Sequence, residues 1–445
     1  MTHEPCIGIA AMAFPGNHLG EERVYEKYEE MKNALKQNQE ARWLPGDYIA
    51  MSRQEVQQIG KELHTGNLDA ILVVLTTFVP DYFLVDLIDR CDVPVFLWAV
   101  DKEIGALTLV GGVLVTGALH SLHKHYTLEV ADIGDTDTEQ KLLKFARAAM
   151  LYGRMKNMAI GVSAGKNNIM MSMAWDEFAV KRTLGINLEN IPIEEFYQTA
   201  SLVPECEVED YWEKIRGQIG LCDVEKIDGL LASRYYLAAR RLTEHYSLAG
   251  YSINCFPELK SQICLAVARL NDDLIAAGCE GDLHSTIVMC LLEHLAGKAA
   301  FNGDFLKLYK EENAILFSHC GAGAFSLAKD RSEVMLRKSI ETCDGCAICY
   351  ATYARGSYTI ANLMNKEDSM HLYVLNGDAV HTDLEYEGTP LKIAFIRDVS
   401  GILQDVVRQG AGHHWSGVQG DYRKELEILC GFTGMEFHDL TVESC

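Results

Sequence analysis

The sequence predicts an α/β protein made of two Rossmann-like, doubly wound parallel-sheet domains followed by a C-terminal, mainly antiparallel β-barrel domain. Three observations carry this expectation. In the first third, near-continuous apolar runs such as "DAILVVLTT" and "VPVFLWAV" alternate with helical charge spacing, the mark of parallel strands covered on both faces. The same rhythm restarts at "MAIGVSAGK". Beyond "GKAAFNGDF" it gives way to short strands joined by Gly, Asp and Asn turns with few helices between them, which reads as antiparallel sheet closing on itself. The expected domains are 1–155, 156–300 and 301–445.

The elements follow in chain order. "CIGIAAM" is a short buried strand and "EERVYEKYEEMKNALKQ" a charged helix. The first domain closes with the helical segment "LLKFARAAMLYGRMK". In the second, "MAIGVSAGK" turns from strand through glycine into helix, and "IDGLLASRYYLAARRL" and "AGYSINCF" supply the next helix and strand. "DDLIAAGCE" reads as a helix end and a strand with Glu280 at its carboxyl edge, where open α/β sheets place their ligands. Asp282 then caps a helix whose apolar positions Leu283, Ile287, Leu291 and Leu295 recur every fourth residue. "AILFSHC", "CAICYATY", "SYTIANLM", "MHLYVLNG" and "LKIAFIRDV" supply the barrel strands.

Composition narrows the function classes. With 445 residues, 48% of them hydrophobic, the chain can bury more than one core. A formal net charge of -23 repels phosphate and excludes general affinity for nucleic acid or anionic lipid. No apolar run approaches the roughly 20 residues that cross a bilayer, and acid rather than base precedes the first apolar run, so the expectation is a cytoplasmic, unexported protein. The 14 cysteines are scattered through apolar segments, as buried thiols are in a reducing compartment.

Chemistry concentrates at "GCEGDLHST", "FNGDF", "LFSHCGAG" and "AGHHWSGVQGDY". Glu280 and Asp304 flank one helix, and at about 1.5 Å per residue a helix folded back by its loop brings both toward one wall. Such carboxylates suit a hard divalent ion, with imidazole more welcome to Mn²⁺ than to Mg²⁺. Read alone, Asp282 is a helix cap and Asp304 an ordinary turn residue. His413 and His414 fall in what reads as a loop leaving a helix, where side chains reach outward, and His319 ends a strand before a Gly-rich turn. The plain alternative for His319 is a satisfied core histidine. "GVSAGKN" is one residue short of a phosphate loop and lacks its Ser or Thr. Cys343, Cys346 and Cys349 have iron–sulfur spacing, yet two fall inside an expected strand, no fourth cysteine follows at the expected distance and no proline closes the run. "ALHSLHKHY", with His123 at its centre, is either a solvated face or a sugar or anion subsite.

Taken together, "GCEGDLHSTIVMCLLEHLAGKAAFNGDF", "FSHCGAG" and "AGHHWSGVQGDYRKELEILCGFTGMEFH" resemble the L-fucose isomerase and L-arabinose isomerase superfamily. The resemblance implies reversible aldose–ketose isomerisation assisted by Mn²⁺ (Mg²⁺ or another divalent ion as alternatives), in a homo-oligomer, trimer or hexamer, with the active site between subunits. It implies Glu280 and Asp304 as metal-binding carboxylates that also act as acid and base, and His414 as the ligand histidine. His319 matches the extra histidine of the arabinose branch, whose second carboxylate would fall at Gly303; Asp304 follows the fucose branch. His319, His413, Trp415, Gln419, Tyr422 and His123 become candidate substrate contacts. The implied partner is a small sugar, with no nucleic acid and no membrane. A sugar-binding protein of the same architecture without catalysis is the alternative.

Overall fold

The computed structural model describes residues 4–14, 21–100, 107–339, 342–351, 353–367, 369–384 and 388–442. Residues 1–3, part of the stretch read for an export signal, lie outside these. The chain divides into two compact units, Met1–Arg154 and Met155–Cys445.

The first unit is a parallel sheet of β1 (Cys6–Met12), β2 (Arg42–Ala50), β3 (Ala70–Leu75), β4 (Val95–Val100) and β5 (Tyr126–Ala131), in the order β2-β1-β3-β4-β5. Every residue of β1, β3 and β4 is buried, which is why these strands read as unbroken apolar runs instead of alternating ones. The helix Thr108–Ser121 buries its glycines Gly111 and Gly112. An alanine Cβ at Gly111 would lie 2.8 Å from the Val79 nitrogen, so only glycine lets the helix approach so closely. On its outer face Leu109, Val110, Val113 and Leu114 stand exposed, Val113 to 60%.

The second unit contains two larger sheets. One is parallel, ordered β10-β9-β6-β7, from β6 (Ala159–Ser163), β7 (Asn187–Asn190), β9 (Gly250–Ile253) and β10 (Ala276–Gly278). The other contains β11 (Phe301–Tyr309), β12 (Ala314–Ser318), β15 (Gly356–Lys366), β16 (Ser369–Ala379), β17 (Leu391–Ala394), β18 (His414–Gln419) and β19 (Glu436–Asp439). Its order is β15-β18-β11-β12-β17-β16-β19, and β15 also pairs with β16. Six strands thus form a closed antiparallel ring, with β19 added parallel to β16. A small third sheet joins β8 (Leu221–Asp223), β13 (Met335–Arg337) and β14 (Ala347–Cys349).

The helix Leu283–Ala296 packs on β9 and β10 on one side and on β15 and β18 of the ring on another. Residues Leu283 to Leu295 are all buried, so the apolar run around its whole circumference follows from being covered on every side. Glu293 is buried with it. Its Oε1 accepts the Ala300 N–H at 3.0 Å, its Oε2 has no partner, and burial pushes its carboxyl well above the ordinary range. A carboxyl raised in the folded state contributes stability at low pH that is lost as pH rises. Glu293→Gln is therefore expected to melt progressively higher than wild type as pH goes from 5 to 8. A Tm difference independent of pH would contradict the assignment.

Candidate metal centre

Three neighbouring strands deliver the first half of the centre. Asp304 on β11 stands directly opposite His414 on β18 and Ser318 on β12. Cross-strand partners have Cβ atoms about 5 Å apart, so pairing alone brings the Asp304 and His414 side chains together, and His319 follows Ser318 at the end of β12. The sequence pattern placed His413 and His414 in a loop. The structure corrects this for His414, which opens β18, because its backbone pairs with Asp304.

Glu280 comes from the other sheet, just past the carboxyl edge of β10. It has a left-handed backbone with φ 61°, followed by Gly281 at φ 68°, a conformation a non-glycine residue adopts only where its surroundings impose it. The loop after β6 imposes it here. Asn167 donates its backbone N–H to the Glu280 carbonyl at 3.1 Å and its side-chain amide to Glu280 Oε2 at 3.3 Å. Gly281 packs so tightly on this loop that a Cβ would sit 2.1 Å from the Gly165 oxygen.

The donor atoms of Glu280, His319 and His414 lie within 4.8 Å of one another, as do those of Asp304, His413 and His414. His414 belongs to both groups. Its Nε2 is 3.6 Å from Asp304 Oδ1, and His319 Nε2 is 3.9 Å from Glu280 Oε1. The His319 and His413 rings stand 5.1 Å and 4.1 Å from that of His414.

Neighbouring side chains, Asp282 buried and Cys320 half-buried, orient these rings. His414 Nδ1 lies 2.8 Å from Asp282 Oδ2, and His319 Nδ1 lies 3.4 Å from Cys320 Sγ. Asp282 is buried, which opposes its charge, but the hydrogen bond from His414 and the donors of Ser285 more than offset this and hold its carboxyl well below the ordinary range. Burial alone would lower His319. The adjacent Cys320 sulfur and then Asp304 and Glu280 outweigh burial and hold its pKa up at about 10. Burial, then the neighbouring His414, lowers His413.

This donor set fits a divalent ion. His319 Nε2 and His413 Nε2 are buried without a hydrogen-bond partner, and the one carboxylate and two imidazoles that each group offers suit Mn²⁺ better than Mg²⁺. Asp304 is 39% exposed and Glu280 20%, so both remain open to a small molecule.

Other nominated residues lie elsewhere. Strand alternation puts Trp415 on the face of β18 opposite His414. It is 0% exposed, packs against Phe305, and donates its indole N–H to the Gly412 oxygen at 3.0 Å. It is a core residue that braces the turn before His414, not a ligand contact. Gln419 is about 16 Å further along the strand, bonded to Lys298 and to the Arg355 oxygen. Tyr422 precedes the helix Arg423–Thr433 and bonds through its backbone N–H to Thr359. His123 lies in the first unit, exposed in the turn after Thr108–Ser121 with φ 53°. Cys346 and Cys349 are buried, and burial pushes the Cys346 thiol up; Cys343 is exposed. Asn167, Cys320 and the second role of Asp282 escaped the sequence reading. The signal for Asn167 was the strand–glycine turn "GVSAGKN", weighed only as a nucleotide loop.

Comparison with known proteins adds an independent finding. Sulfoquinovose isomerases of Priestia aryabhattai and Priestia megaterium are each 23% identical to this chain over 413 residues, covering 88% of it and 92% of theirs. That of Alkalicoccus urumqiensis is 24% identical over 371 residues, covering 81% and 84%. No family model matches. Among solved structures, a conserved domain protein from Vibrio cholerae is 12% identical over 57% of this chain and 74% of its own, with a TM-score of 0.19, too slight a likeness to argue from.

The part played by Asn167 can be tested directly. Asn167→Ala should leave the fold intact and weaken Mn²⁺ binding by about 10–100-fold, the usual effect of removing a group that orients a ligand, as read by titration calorimetry. Unchanged affinity would show that the β10 turn holds Glu280 unaided.

Proposed function

We propose that this chain is an aldose–ketose sugar isomerase whose acid and base are Glu280 and Asp304. The convergence of these two carboxylates on His414, from two sheets and three chain segments, is the observation that carries the reading. Its supporting likeness to sulfoquinovose isomerases covers most of the chain.

Moving a sugar carbonyl between C1 and C2 needs a proton taken from one carbon and returned to the next, through an enediol. Two carboxylates on either side of His414 suit the transfer, because each can hold the proton that the other releases. A divalent ion, held by Glu280, Asp304 and His414, would supply Lewis-acid stabilisation of the charge that develops on O1 and O2. The chain's own residues do the remainder. Asn167 keeps the Glu280 carboxylate turned toward the cluster, and the left-handed turn at residues 280 and 281 fixes its approach. His319 and His413 present polar ring edges to sugar hydroxyls. The substrate class we infer is an aldohexose with a sulfonate at C6, by likeness to the relatives.

The apolar outer face of Thr108–Ser121 supports association of several copies, since exposed Leu109, Val110, Val113 and Leu114 form a stripe that water disfavours. No helix among the described residues is long and apolar enough to cross a membrane.

Metal-loaded protein incubated with sulfoquinovose should form the corresponding ketose, seen by ¹³C NMR. Chelation should abolish turnover and Mn²⁺ restore it, and Glu280→Gln should lower it by at least about 10³-fold with unchanged folding. A protein that binds the sugar yet forms no ketose from any aldose tested would instead be a binding module. In sedimentation velocity, Val113→Asp should shift the protein to a smaller species; an unchanged coefficient would place the interface elsewhere.

A further inference from the structure

We propose that Asp282, which the sequence presents only as a helix cap, is a positioning residue that fixes the tautomer of His414 and so aims its Nε2 at the cluster. This rests on the metal-centre reading above, and it is argued from hydrogen-bond polarity. Asp282 Oδ1 accepts the Ser285 N–H at 3.1 Å, closing the first turn of Leu283–Ala296. Oδ2 takes the Ser285 hydroxyl at 2.6 Å and lies 2.8 Å from His414 Nδ1. An ionised carboxylate can only accept. Both carboxylate oxygens also accept from Ser285, so the His414 hydrogen sits on Nδ1, and in the neutral ring the Nε2 lone pair faces the cluster, with Asp304 Oδ1 3.6 Å away. Asp282, Ser285 and His414 are all buried, so water does not compete for these bonds.

One oxygen pair thus does two tasks, and they can be separated. Asparagine caps a helix as well as aspartate does. In Asp282→Asn the cap requirement keeps the side-chain oxygen on Ser285 N–H, and the amide nitrogen then takes the place of Oδ2. That nitrogen donates, so His414 Nδ1 must accept and its hydrogen moves to Nε2, where it blocks ligation. Asp282→Ser keeps a capping oxygen that is too short to reach His414, and so removes the anchor without reversing it.

The test uses ¹⁵N-histidine-labelled, full-length protein. Long-range ¹⁵N–¹H spectra of metal-free wild type should show His414 with its hydrogen on Nδ1, and Asp282→Asn should show it on Nε2. Tm should stay within a few degrees. Mn²⁺ affinity by calorimetry should fall about 10–100-fold in both variants. If Asp282→Asn folds and keeps the Nδ1–H tautomer and wild-type affinity, the proposal fails. If it unfolds, unchanged affinity in Asp282→Ser overturns the proposal, and lost affinity supports it. Wild type that takes up no Mn²⁺ overturns the metal reading instead, and the tautomer shift then decides the role of Asp282 by itself.

Discussion

A carboxylate taken out of water is tolerated only where donors surround it, and Asp282 meets that condition at the seam between the parallel sheet and the barrel. Ser285 supplies two donors and His414 a third. The start of the helix adds the favourable end of its dipole. Much of the centre is tied to this one knot. Fixing His414 fixes β18, whose register with β11 sets Asp304, and the register of β11 with β12 sets the residue before His319.

Glu280 is held by a different device. Its strained backbone persists because the loop after β6 packs under it, with Asn167 gripping both its carbonyl and its carboxylate. Parallel sheets gather loops at the carboxyl edges of their strands, which makes that edge the natural place for a ligand. Here it abuts three antiparallel strands, at the start of β18, the end of β12 and the first half of β11. Neither sheet alone holds the whole donor set, and the likeness to sulfoquinovose isomerases likewise runs along most of the chain instead of being confined to one motif.

Much was legible in the residues. Unbroken apolar runs gave β1, β3 and β4, and the fourfold recurrence of Leu283, Ile287, Leu291 and Leu295 gave the central helix with Asp282 at its cap. The histidine segment was misread in two respects. His414 belongs to a strand, and Trp415, an aromatic beside two histidines, is core. Alternation along β18 separates them, and alternation is visible only once a segment is known to be a strand.

The sequence by itself determined which residue types were present and the local periodicities that make them strands, helices and caps, because those depend on neighbours a few positions away. Only the tertiary structure decided that Glu280 with His319, and Asp304 with His413, each meet His414, that Asp282 reaches His414 and that Asn167 holds Glu280. Those contacts join residues far apart in the chain, and which of the many possible distant pairs come together is fixed by sheet register and packing, which no local pattern encodes.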